Sequence, residues 1–402
     1  MSSSASAHDA ASAAPAGGLL LAALLFAAFV MRGPVTAVGP VAEAVREWAR
    51  ADLAAYGLIT ALPVAAFGGF SFLAPALVRR CGLARGMLAA LLVLVAGAAL
   101  RLVEGYAVLL AATLMIGAGI ALLNVMAPVV VKSAWAQSIG SRMGLYTGMI
   151  GFSGAAGGLL SAPLLGLAGT LAGPFGFWAG AALAAALLWT AGSRGLPQAG
   201  AAPGAGGKEG QGVLRELIRN PLAWCLTAVM GLQSLLIYTA AAWMPVWWQR
   251  QGMSPAETGV WIFVFLFSGL PASMFTARFF RLVGSEVTAE ILLSVTYLAG
   301  FAGWLAGGPW MLPASIAAGA AQGAMLSAAF LLMAGKSPDG RRMLGISSMA
   351  QGIGYLGAGL GPWVFAVLLE GTGGWGASFA FFALVIVLWA AAGLLAARRG
   401  TL

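Results

Sequence analysis

Residues 195–212 read GLPQAGAAPGAGGKEGQG, a run of Gly, Pro and Ala with no apolar periodicity. Such a stretch carries too little side chain to pack and behaves as a flexible connector. On either side the sequence is the opposite: long apolar runs separated by one or two charges. A membrane-spanning helix needs about 20 mostly apolar residues. Marking such runs gives six before the connector, at 18–44, 53–78, 86–104, 106–131, 143–168 and 173–192. Six more follow it, at 220–247, 257–280, 287–306, 309–334, 343–369 and 374–397. The expected fold is therefore all-α and integral to the membrane, with twelve transmembrane helices in two six-helix bundles. The divisions are a disordered tail over 1–17, a first bundle over 18–192, a linker over 193–219, a second bundle over 220–397 and a short tail over 398–402.

Composition leads to the same class. Of 402 residues 61% are hydrophobic and 8% charged, whereas a water-soluble domain carries about a quarter charged residues. The net charge of +9 would suit a nucleic-acid binder, but the basic residues stand singly or in pairs and form no tract. No nucleic-acid partner is expected. Two cysteines, Cys81 and Cys225, make no disulfide framework. The N-terminal segment has no Lys or Arg before Arg32, so it lacks the positive start of a secretory signal, and His8 reads as a tail residue.

The positions of Lys and Arg orient the chain. With both termini and the linker on the cytoplasmic side, 16 of the 21 basic residues lie inside and four (Arg46, Arg50, Arg101 and Arg250) outside, leaving Arg32 within a span. That asymmetry follows the positive-inside rule. The halves also repeat each other at an offset of 200 residues: Trp48 with Trp248, Arg50 with Arg250, Phe67 with Phe267, and Arg142–Met143 with Arg342–Met343.

Polar residues at membrane depth are the candidate site. Arg32 lies in MRGPVTAVGP, beside Gly33–Pro34, and shares its helix face with Thr36. An Arg at mid-membrane costs about 2.5–3.5 kcal/mol on insertion scales, so it must meet a cavity, a ligand or a ring of carbonyls. Asn124, Gln233, Ser234, Tyr238 and Gln322 lie at comparable depth, and Ser347, Gln351 and Tyr355 form a stripe at i, i+4 spacing. Cavity lining and interhelical hydrogen bonding both explain such residues. Glycines at 144, 148, 154, 158, 357 and 361 suit close helix packing, and Trp48, Trp243, Trp247 and Trp248 suit an interfacial belt. Glu43, Glu290 and Glu370 fall towards span ends, which leaves no carboxylate at depth for proton or cation coupling. No nucleotide loop, metal-ligand cluster or nucleophile–base pair occurs, so neither an enzyme nor a cofactor is indicated.

Several strings resemble a known family. RGPVTAVGP (32–40), YGLITALPVAAFG (56–68), GIALLNVMAPVVVK (119–132), LAWCLTAVMGLQSLLIYTAAAWMP (222–245), SGLPAS (268–273) and ISSMAQGIGYLGAGLGP (346–362) are similar to the cyanate/2-nitroimidazole transporter family of the major facilitator superfamily. The loop APALVRRCGLAR (74–85) is a degenerate form of the superfamily's loop motif, with Arg79 where an acid is usual. The resemblance implies the major facilitator fold and a monomeric secondary transporter in the cell inner membrane. Its partners would be the lipid bilayer and a small anionic or strongly polar solute held between the halves. A broad drug exporter, or a sensor without flux, are the alternatives. If the orientation is right, alkaline phosphatase fused at Gly206 or after Leu402 will be inactive; activity at either point would reverse the topology.

Overall fold

The computed structural model describes residues 17–50, 53–196 and 208–402, and every regular element in them is helical. In the first half these are α1 (Gly18–Thr36), α2 (Ala42–Ala49), α3 (Leu53–Ser71), α4 (Ala74–Cys81), α5 (Leu83–Leu100), α6 (Tyr106–Ala134), α7 (Ile139–Ala168) and α8 (Ala172–Gly192). A connecting helix, α9 (Lys208–Arg219), leads to the second half: α10 (Pro221–Arg250), α11 (Pro255–Val283), α12 (Glu286–Ala306), α13 (Met311–Lys336), α14 (Gly340–Thr372) and α15 (Trp375–Ala397). Among the described residues eleven helices are long and apolar enough to cross a membrane. The pair α3 and α4, bent by 52°, supplies a twelfth. Twelve spans in two sets of six is thus the architecture, with each expected span matched by one helix or broken pair.

Two local expectations change. Span 1 stops short of residue 44: α1 ends at Thr36, and a turn at Gly39–Val41 leads into the separate helix α2. The linker is not flexible throughout. Its second part is α9, which lays Val213 and Leu217 against Gly345 at the start of α14, and Leu217 is buried. Residues 1–16, where the disordered tail was expected, and 197–207 of the linker lie outside the described residues.

Small residues set how closely the helices approach. α11 and α13 touch backbone to backbone: a Cβ on Gly319 would sit 2.0 Å from the Phe265 carbonyl oxygen, and one on Gly323 would sit 2.1 Å from that of Gly269. The larger side chains fill what remains, with Trp189, Trp304, Trp389, Tyr297 and Phe330 sealed inside.

The halves meet along α7 with α11 and α3 with α14. One face of α7 shows how the contact varies with depth. A Cβ on Gly140 would strike Ala277 at 2.3 Å, and one on Gly144 would strike the Ser273 carbonyl at 2.6 Å. At Gly148 the contact relaxes to 3.2 Å, and at Gly151 and Gly158 nothing lies within 4 Å. The helices are therefore pressed together on the linker side and diverge towards the other. The pressed side is also bonded. Lys132, at the end of α6, donates from Nζ to the Ala334 carbonyl at 2.5 Å and to the Ser337 carbonyl, the free C-terminal acceptors of α13. Ser348 Oγ on α14 donates to the Ser71 carbonyl at 2.9 Å. The halves are closed together on the linker face, and α7 and α11 part towards the opposite one.

Gly319→Val is expected to destabilise the protein by about 1–3 kcal/mol, because overfilling this contact must push α11 from α13. A thermal melt of the detergent-solubilised protein matching wild type would show that the helices are not in backbone contact.

Candidate functional site

The site is built around Arg32 in the last turns of α1. Pro34 has no N–H to donate, which disturbs the helical ladder at this point. Ser153 of α7 answers it: its Oγ accepts from the Gly33 amide at 2.8 Å and the Arg32 amide at 3.2 Å, and donates to the Phe29 carbonyl. One turn on, Thr36 Oγ1 donates to the Gly154 carbonyl of α7 at 2.8 Å. The Trp178 ring of α8 covers Gly33 so closely that a Cβ there would lie 1.9 Å from it. Arg32 thus projects from a turn gripped on two sides.

Its side chain reaches the other half. The guanidinium carbon lies 5.7 Å from the centre of the Tyr238 ring on α10, a cation–π distance, and the group is within hydrogen-bonding reach of the Tyr355 hydroxyl on α14. Tyr146 on α7 is the third phenol near enough to act on its charge. Among the described residues no carboxylate pairs with Arg32. Arg32, Thr36 and Tyr238 keep part of their surface accessible, while Tyr146 and Tyr355 are buried.

The amides form a layer on the closed side of this cluster, roughly one helical turn away along α10 and α14. Gln322 of α13 donates from Nε2 to Gln233 Oε1 and to the Gln233 carbonyl of α10, both at 3.0 Å. Gln233 Nε2 donates to Ser234 Oγ at 2.7 Å and to the Met230 carbonyl at 3.1 Å. Gln351 Nε2 reaches across the halves to the Asn124 carbonyl of α6 at 2.7 Å, with Ser347 Oγ at 3.4 Å. Because backbone carbonyls accept from these nitrogens, the amide orientations are fixed, and Oε1 of both Gln322 and Gln351 has no partner. The sequence-derived residues therefore come together as two layers: Arg32, Thr36, Tyr238 and Tyr355 towards the open side, and Asn124, Gln233, Ser234, Gln322, Ser347 and Gln351 beneath. The stripe of Ser347, Gln351 and Tyr355 does not line open space in this conformation; it is packed between the halves.

Comparison with known proteins identifies the frame that carries this cluster. The sequence model of the Major Facilitator Superfamily matches residues 20–312. The chain belongs to the Major Facilitator Superfamily. Within it, the chain is 31% identical over 382 residues to a Bacillus subtilis (strain 168) protein named uncharacterized transporter YycB, covering 94% of this chain and 93% of that one. It is 28% identical over 388 residues to the 2-nitroimidazole transporter of Escherichia coli (strain K12), covering 94% and 95%. Against the cyanate transport protein CynX of the same strain it is 26% identical over 373 residues, covering 92% and 94%. Among solved structures it is similar to the E. coli transporter FucP in the outward conformation, with a TM-score of 0.74 at 16% identity over 95% of this chain and 99% of that one. The human organic anion transporter MFSD10 gives a TM-score of 0.73 at 18% identity over 93% and 99%.

Measured against this superfamily frame, sequence reasoning missed four residues. Tyr146 and Ser153 gave no signal, since one Tyr and one Ser in an apolar span are ordinary. Arg101 is expected on the outer side, at the end of the span 86–104. It is buried, donating from Nη1 to the Pro34 carbonyl at 2.5 Å and from Nη2 to Thr113 Oγ1 at 3.1 Å, with its guanidinium over the Phe175 ring. It thereby caps the end of the α1 turn that bears Arg32. Glu290 was placed near a span end, and the structure seals it completely against Gly393 of α15 with neither carboxylate oxygen partnered. Of the four tryptophans expected at the interface, Trp248 is buried against Trp304, whereas Trp48, Trp243 and Trp247 keep part of their surface exposed, the last two packing on Trp375.

Arg101→Met should destabilise the fold by about 1.5–3 kcal/mol, the usual value of a charged hydrogen bond, by leaving the Pro34 carbonyl unpaired. Equal thermal stability of Arg101→Met and wild type would mean that the α1 end needs no cap.

Proposed function

We propose that this superfamily member is a secondary transporter for a small, planar solute that is anionic or strongly dipolar. Arg32 is its principal contact. The observation that carries the reading is the setting of that guanidinium: it lies between the halves, partly accessible, with three phenols around it and no acid among the described residues. A charge kept without a counter-ion in low dielectric is costly unless a ligand or fixed dipoles compensate it. A guanidinium offers five donors in a planar fork, which suits a nitro group or small carboxylate. The Tyr238 ring beside it gives a flat surface for stacking.

The kinship with carriers named for 2-nitroimidazole and cyanate supports the same ligand class. If the linker face is cytoplasmic, as the basic residues indicate, the closed face is the inner one and the site opens outwards. Binding would then occur at the Arg32 layer, while Lys132 and Gln351 hold the inner side shut. Alternating access would follow from rocking the halves about α7–α11 and α3–α14.

Arg32→Ala should abolish 2-nitroimidazole binding by the purified protein, and Arg32→Lys should weaken it at least about tenfold, since the charge remains but the fork is lost. Both variants should retain near wild-type melting temperatures without ligand. A folded Arg32→Ala protein that still binds and transports at wild-type levels would rule out this site.

A further inference from the structure

We propose that Ser153 is the positioning residue for Arg32, fixing the direction in which the guanidinium projects by gathering the peptide groups of its turn. The inference rests on the reading of Arg32 as the ligand contact, and it concerns how that contact is held.

Three backbone groups around Arg32 converge on one hydroxyl. Ser153 Oγ takes hydrogen bonds from the amides of Arg32 and Gly33 and returns one to the Phe29 carbonyl. Ser153 is wholly buried, so water cannot substitute for it. This falls beside Pro34, where the helix is one donor short and α1 is two residues from its end. A helix end next to a proline is free to fray or re-aim unless something outside the helix holds it. Here that role falls to α7, and its sequence is shaped to allow it. Gly157 lets α7 lie against the Gly33 backbone, where a Cβ would be 2.5 Å from the Gly33 carbonyl oxygen and 2.2 Å from Thr36 Oγ1. A larger residue at 157 would lift Ser153 out of reach.

The consequence concerns motion. The base of Arg32 is tied to α7 in its own half, while its tip rests on Tyr238 and Tyr355 of the other half. When the halves rock, the turn that Ser153 holds keeps its direction within the first half, so the arginine's contacts to the two tyrosines must change. Without the hydroxyl, the Arg32 turn can settle differently, and the guanidinium leaves the tyrosines without the fold being lost.

The test uses the full-length purified protein and an arginine-selective reagent, 2,3-butanedione, with adducts at Arg32 and Arg250 resolved by mass spectrometry. Ser153→Ala should raise the rate at Arg32 at least about threefold, leave exposed Arg250 unchanged and move the melting temperature little. Ser153→Thr, which keeps the hydroxyl, should restore the wild-type rate. Should Ser153→Ala not fold, Ser153→Cys, with a weak donor of similar size, replaces it. The second arm is 2-nitroimidazole affinity in a double-mutant cycle. Ser153→Ala should cost about tenfold in wild type and nothing further in Arg32→Lys. An unchanged labelling rate, or an equal affinity loss in both backgrounds, overturns the positioning role. If instead Arg32→Lys binds like wild type while labelling still accelerates in Ser153→Ala, the positioning role stands and the ligand contact lies elsewhere.

Discussion

A peptide group inside a bilayer has no water to turn to, so each N–H and C=O must be satisfied by the protein itself. Most of this chain meets that demand with uninterrupted helix, and the exceptions explain the rest of the structure. Around Pro34, Ser153 of α7 accepts from the amides of Arg32 and Gly33, Arg101 donates to the Pro34 carbonyl, and Thr36 ties the same turn to the Gly154 carbonyl of α7. Where α13 ends, Lys132 takes up its last carbonyls from the opposite half. Side chains that elsewhere would be decoration are here conditions for a helix to stop or bend at depth. The candidate site sits where α1 carries Pro34 and comes to its end.

The same demand links the site to the closure of one face. Lys132 and Gln351 both donate to backbone carbonyls of the other half, so separating the halves on the linker side requires those acceptors to find new partners. Neutral and charged donors to carbonyl oxygens can be exchanged for water once water enters, which buried hydrocarbon contacts cannot do without loss. A contact surface of glycine on backbone, pinned by a few such bonds, can close firmly and still reopen. The unpartnered oxygens of Gln322 and Gln351 point the same way: the amide layer is not fully satisfied in the closed arrangement.

How much of this could be read in the sequence follows from which interactions leave a periodic trace. The twelve spans did, because lipid imposes a length of apolar residues on each of them, and their ends agree within a few residues except where Gly39–Pro40 cut the first span short. The polar stripe at 347, 351 and 355 also did, since a helix face repeats. Its surroundings did not: periodicity gives a face but not what covers it, and α6 and α3 cover this one. Arg101 misled because a charge at a span end ordinarily faces water, and only the tertiary arrangement sets Pro34 and Phe175 beside it. Trp248 misled for a similar reason: its position near a span end suited the interface, and only the packing of α12 sets Trp304 over it. The helical part of the linker was obscured by the Gly-rich run before it, although Val213, Leu214 and Leu217 already carry helical spacing.

Glu290 bears on coupling. Arg32 lies between the halves, and under the proposed rocking its change of partners needs no proton. Glu290 is a buried carboxyl with no cation among its hydrogen-bond or ion-pair partners, even though Glu286, one turn earlier, is paired with Lys336 at 3.5 Å. Glu290 is therefore a carboxyl that the fold buries without a compensating charge, an arrangement that disfavours its ionised form. It lies between α12 and α15 within one half, whereas the contacts that define the closed face lie between halves. A group whose surroundings move with it as one body meets the same environment throughout a rocking motion, and only a difference between two states can shift an equilibrium. Burial alone therefore does not make Glu290 a coupling group. Arg32, held at its base by one half and resting at its tip on the other, is by contrast a charge whose surroundings depend on how the halves sit.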